Sequence, residues 1–99
     1  MTEFDHFQLR RQSDELVYQF DRMAREDGSV GYKRRDADLW IVFDEDHGWI
    51  AVDAAGAIAG RSWNVAAKVQ GDHPPEGEWV SKKGDKSYVY SLVYSGIVP

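Results

Sequence analysis

Ninety-nine residues suit one domain with a single hydrophobic core, and a chain of that size has little room for a deep active site. Apolar residues at 42% and aromatic residues at 13% exclude global disorder, while the absence of cysteine excludes a disulfide framework and any thiolate metal site. A formal net charge of −5 disfavours general binding to a phosphate backbone.

The opening stretch from Met1 to Arg11 mixes acids, bases and phenylalanines, which matches neither a signal peptide nor a transit peptide. No apolar run approaches the roughly 20 residues of a membrane-spanning helix. The expected location is therefore cytoplasmic, with no membrane partner. Residues 1–12 read as a loose arm, a helical turn or an extra strand.

From Asp14 to Glu26 the apolar residues Leu16, Val17, Phe20, Met23 and Ala24 follow a 3.6-residue period, with Asp14, Glu15, Gln19, Asp21, Arg22 and Arg25 opposite. Ser13 stands at the N-cap position, acids lie at the first turn, arginines at the last, and Gly28 follows. That pattern predicts an amphipathic N-terminal helix.

After Val30 the period changes to 2. Val30 to Arg35 is expected as an edge strand guarded by Lys33, Arg34 and Arg35. Leu39 to Asp44 and Trp49 to Asp53 read as a hairpin around an acidic tip, the first strand being apolar on both faces. Ala54-Ala55-Gly56 is a second turn. The stretch from Ala57 to Gln70 begins as a strand and stays open between strand and short helix beyond Trp63, and residues 71–77 form a Pro/Gly loop. Glu78 to Lys83 and Lys86 to Tyr94 then form a hairpin around Gly84-Asp85, in a register that sets Trp79 against Tyr90, Val80 against Val89 and Ser81 against Tyr88. The expected fold is α+β: one helix packed on an antiparallel sheet of about five strands. The alternative is a small, partly closed barrel with one helix.

No stretch spells a reaction. Gly-x-Ser-x-Gly, Walker and Gly-x-Gly-x-x-Gly signatures are missing, and His6, His47 and His73 lack the short spacings of metal sites. Asp44-Glu45-Asp46-His47-Gly48 begins like a calcium loop but puts Trp49 where the sharp-turn glycine belongs and Ala55 where a bidentate Glu belongs. No metal, no cofactor and no catalytic residues are assigned, and the expectation is a non-enzyme.

Charge distribution carries the functional expectation. Residues 1–47 hold 12 acids against seven bases, and Asp36, Asp38, Asp44, Glu45 and Asp46 bracket the Leu39 to Phe43 strand. Such a surface suits a Lys/Arg-lined groove on a basic protein partner, approached by a monomer or homodimer. In size and charge the chain is similar to small acidic inhibitors in general, such as immunity proteins of nuclease toxins and phage-encoded anti-defence proteins; no motif carries that similarity. The leading expectation is a stoichiometric inhibitor that masks a nucleic-acid-handling site without touching nucleic acid itself. The second is a nucleic-acid or peptide-binding β module using Trp79, Lys82, Lys83, Lys86 and Tyr88, rings for stacking and lysines for phosphates. Its plain structural counterpart is that those rings form the core.

Overall fold

The computed structural model describes residues 5–63, 65–71, 73–83 and 85–94, with the side chains of Ala67, Lys82 and Lys83 outside the description. Its strands are β1 (His6–Arg11), β2 (Val17–Ala24), β3 (Val30–Arg34), β4 (Trp40–Asp44), β5 (Gly48–Val52), β6 (Ile58–Ser62), β7 (Gly77–Lys83) and β8 (Lys86–Tyr94). Each pairs antiparallel with the next, and β1 also pairs with β8, so the sheet closes into an eight-stranded up-and-down barrel. Closure leaves no unpaired edge. Among the described residues there is no α-helix; the one helical turn is a 3₁₀ turn at Ala67–Val69. None is therefore long and apolar enough to cross a membrane.

The expected α+β fold is thus corrected to all-β, and the expected five strands to eight. The Asp14–Glu26 segment is not a helix: residues 12–16 turn the chain, with Glu15 at φ 61° and Asp14 paired to Arg11, and Val17–Ala24 forms β2. The alternation within Val17-Tyr18-Gln19-Phe20 overrides the 3.6 period because β1 supplies a matching face. Phe7 lies opposite Phe20 and Leu9 opposite Tyr18, with the Phe7 and Phe20 rings stacked at 5.1 Å. Leu16, Val17 and Met23, three members of the supposed helical stripe, end up exposed. Gly28, at φ +87°, turns the β2–β3 hairpin instead of stopping a helix.

The β4–β5 hairpin runs in the register Trp40 to Val52 through Asp44 to Gly48, and β7–β8 sets Trp79 against Tyr90 and Ser81 against Tyr88. The turn residue Gly84 lies outside the described residues. The inward positions of all eight strands build one core around Phe7, Leu9, Phe20, Tyr32, Ile41, Trp49, Trp79 and Leu92. Besides the stacked Phe7–Phe20 pair, its rings meet edge-on or tilted, as in Phe7 with Tyr32 at 4.9 Å and Tyr32 with Trp49 at 6.1 Å.

The two ends of the barrel differ. The long β6–β7 connection folds over the end where β1 begins. Trp49 Nε1–H donates to the Gly71 carbonyl at 3.1 Å, Trp79 Nε1–H to the Pro75 carbonyl at 3.0 Å, and the Tyr94 hydroxyl to the Pro74 carbonyl. Gln70 fastens the connection from within, accepting from the Trp49 amide at 2.7 Å and donating to the Val65 carbonyl at 2.9 Å. Pro74 is fully buried. At the opposite end, the connections after β1, β3, β5 and β7 are short, and no comparable segment crosses the mouth among the described residues.

Candidate ligand-binding cavity

Side chains fill an eight-stranded barrel completely or leave room for one small ligand. Here the unplugged end holds a cavity of about 120 Å³. Its deep walls are unequal. Strands β5 and β6 contribute the small residues Ala51, Ala59 and Gly60, whereas β1 and β2 bring Leu9, Tyr18 and Phe20, and β7 and β8 bring Trp79 and Tyr90. The small side follows from the β5–β6 pairing, where the register shifts between Ala51 and Val52 so that Ala51 faces Gly60 and Val52 faces Ile58. This bulge leaves Ala59 unpaired and turns it, with Gly60, toward the cavity.

The mouth is basic and aromatic. Arg11 ends β1 on the same face as Phe7 and Leu9, and Arg34 ends β3 on the same face as Tyr32, so strand alternation aims both guanidiniums inward. Each is bidentate to a carboxylate in the adjoining turn: Arg11 Nε donates to Asp14 Oδ1 at 2.9 Å and its Nη2 to Oδ2, while Arg34 Nε and Nη2 donate to Asp36. The pairs are polarised across the rim. The arginine side chains are 20% and 23% exposed, their aspartates 50% and 64%. Arg34 lies 3.8 Å from the centre of the Tyr18 ring and Arg11 5.0 Å from that of Tyr88.

The ion pairs hold Asp14 down at about 2 and Asp36 below the ordinary carboxylate range, in each case chiefly through the arginine hydrogen bond, and raise both arginines. Tyr90, which lines the same cavity, is pushed up by burial, against the pull of Arg11 and Arg34. It stays a protonated phenol, able to donate.

The acidic residues singled out from the sequence fall at two places. Asp36 and Asp38 lie in the β3–β4 turn at the open end, whereas Asp44, Glu45 and Asp46 lie at the opposite end of β4. Asp36 is engaged by Arg34. Asp44 Oδ2 accepts from the amides of Asp46 and His47 at 3.1 and 3.0 Å and from His47 Nδ1 at 2.7 Å, contacts that hold the turn together and lower its pKa. Asp38, Glu45 and Asp46 are exposed. Among the described residues no three His, Asp or Glu side chains gather as metal ligands.

Of the alternative nucleic-acid set, Trp79 is only 2% exposed and sits in the core, so its ring offers no stacking surface. Tyr88 lines the cavity, Lys86 is exposed at the start of β8, and the side chains of Lys82 and Lys83 lie outside the described residues. Sequence reasoning missed Arg11 and Arg34 as functional residues. The usable signal was that each continues an apolar alternation, Phe7-x-Leu9-x-Arg11 and Tyr32-x-Arg34, which places a charge on an inward face.

No family model, no curated protein and no solved structure matches this chain. What the coordinates define is a class by architecture: a closed antiparallel barrel plugged at one end and hollow, with an arginine–tyrosine rim, at the other.

Proposed function

We propose that the protein is a small-molecule-binding barrel that takes a compact apolar ligand into its unplugged end. The observation that carries this reading is the cavity, opened by Ala51, Ala59 and Gly60 among large rings. A core selected only for stability fills such space, since voids in a packed interior are costly. An apolar cavity of roughly 150 Å³ admits a benzene ring, so the fitting ligand carries one ring or a branched chain of similar girth, with anything larger projecting from the mouth. Concave, mostly apolar sites with a few convergent polar groups are the usual form of small-molecule pockets, and barrel mouths are a common place for them.

The test is a titration of the full chain with 4-ethylbenzamide, a neutral one-ring probe, followed through amide N–H resonances. Saturable shifts confined to the cavity lining, at the amides of Ala51, Gly60 and Tyr90, are expected. Ala51→Leu fills the space from its small wall and removes those shifts. Shifts scattered over the outer surface, or unaltered in Ala51→Leu, refute the reading.

A second reading keeps the acidic surface. Glu45 and Asp46 are exposed in the β4–β5 turn. They suit a basic macromolecule, which the protein would block as an inhibitor. The double reversal Glu45→Lys/Asp46→Lys then abolishes salt-sensitive capture of that partner while leaving 4-ethylbenzamide binding in place. Capture unaffected by the reversal removes this reading.

A further inference from the structure

We propose that the ligand of the open end is a small organic anion, a carboxylate with an apolar body, whose charged group seats at the rim between Arg11 and Arg34. This rests on the small-molecule reading above and adds to it the chemical class of the ligand.

Three features of the rim converge. First, two cations occupy inward-facing positions of a small barrel, where apolar side chains would pack without the cost of partly desolvating a charge. Both line the cavity, and each guanidinium is less exposed than the carboxylate it pairs with. Positive charge therefore faces the cavity and negative charge faces water. Second, the ion pairs do not consume the arginines. Asp14 and Asp36 take the Nε and Nη2 hydrogens, which leaves the second terminal nitrogen of each guanidinium for another acceptor. The same aspartates, together with the Tyr18 and Tyr88 rings beneath, fix where those nitrogens point. Third, the Tyr90 phenol lines the same cavity as both arginines and is buried, so it offers an O–H to an incoming oxygen.

An anion entering this rim meets preorganised donors inside a partly dry cavity, where charge-assisted hydrogen bonds are strongest. It need not displace either aspartate. A cation entering the same place faces two guanidiniums at short range, and a neutral ligand leaves the spare N–H groups without a charged partner. The apolar body then lies against Leu9, Phe20, Trp79, Ala51 and Gly60.

Three probes that share a body and differ in head group decide the matter: 4-ethylbenzoate, 4-ethylbenzamide and 4-ethylbenzylamine, each titrated into the full chain at neutral pH by the same resonances. The acid is expected to bind at least tenfold more tightly than the amide, and the amine more weakly than both. In Arg34→Met, with native-like chemical shifts outside the rim as the check on folding, the acid falls to within threefold of the amide. Equal binding of acid and amide, tighter binding of the amine, or an acid preference untouched in Arg34→Met overturns the anion assignment while the small-molecule reading stands. If none of the three shifts the cavity resonances, that reading fails as well.

Discussion

Asp21 serves two neighbours at once on the outside of the β1–β2 pair. Its Oδ1 accepts from His6 Nδ1 at 2.8 Å, and both oxygens accept from Arg35, at 2.6 and 3.0 Å. His6 is 7% exposed, and its other ring nitrogen lies 2.7 Å from Gln19 Oε1, so the imidazole has no water to fall back on. Removing the carboxylate strands a buried polar group, which costs about 1 to 3 kcal/mol; the exposed share of the Arg35 contact adds little. Asp21→Ala is therefore expected to lose about 2 kcal/mol in urea unfolding, and Asp21→Asn, which keeps an oxygen toward His6, less than half of that.

The carboxylates also set the response to acid. Asp14, at about 2, and Asp21, Asp36 and Asp44 all titrate below the ordinary carboxylate value in the folded protein, so between the unfolded and folded pKa values the unfolded chain binds more protons. Their contribution is complete above about pH 4 and is lost as the pH falls through the folded values, toward pH 2 for Asp14. Thermal midpoints measured from pH 6 to pH 2 should fall most steeply below pH 4, and Asp14→Asn combined with Asp36→Asn should flatten that fall. An unchanged slope in the double variant would assign the acid sensitivity elsewhere.

At the scale of elements, β6 is where the cavity and the stability of the sheet meet. A Cβ placed on Gly60 would lie 2.8 Å from the Val80 carbonyl oxygen and 3.3 Å from the Ser81 Cα. Those neighbours are backbone atoms of the paired strand β7 and cannot swing aside. Gly60→Ala is expected to destabilise by about 1 to 3 kcal/mol and to speed hydrogen exchange at the β6–β7 amides before those of β1–β2. The same stretch shows what the sequence could reveal. Strong local signals, the β-branched and aromatic content of Leu39 to Asp44 and the Trp79/Tyr90 register, read correctly because each hairpin closes within a few residues. The Leu16 to Ala24 stripe misled because its helical spacing is a property of one segment, while its strand identity depends on Phe7 and Leu9 across the turn. The cavity was illegible for a stronger reason. Ala51 and Gly60 look like turn-flanking small residues until the barrel closes and sets them around one cavity with Tyr18 and Tyr90, which lie about 30 or more positions away in the chain. Arg34 carried a sign of its own, a charge in phase with Tyr32, yet on an expected open sheet the same phase reads as an edge guard.

At the scale of the whole molecule, one pairing converts a meander into a barrel. β1 lies beside β8, with Leu9 opposite Leu92 and Phe7 opposite Tyr94, so its partners are more than 75 residues apart in the chain. All other ladders join neighbouring strands. Loop closure over such a span is entropically costly, and topologies that depend on non-local pairing fold slowly. Joining Pro99 to Met1 and opening the chain between Asp27 and Gly28 makes β8–β1 a local connection and turns the β2–β3 contact into the long-range one. If β1–β8 docking limits the rate because it must wait for the rest of the meander, the rate change reports where the nucleus lies. The permutant is expected to keep the cavity, reach the same 4-ethylbenzamide shifts as the parent, and refold several-fold faster in stopped-flow tryptophan fluorescence, provided that β2–β3 docking, now the long-range closure, follows the rate-limiting step. The gain should appear in the folding arm and not the unfolding arm, because the strand pairs lost on unfolding are largely shared. Equal refolding rates would mean that β1 and β8 already associate early, with the aromatic pair Phe7 and Tyr94, 5.6 Å apart, as part of the nucleus.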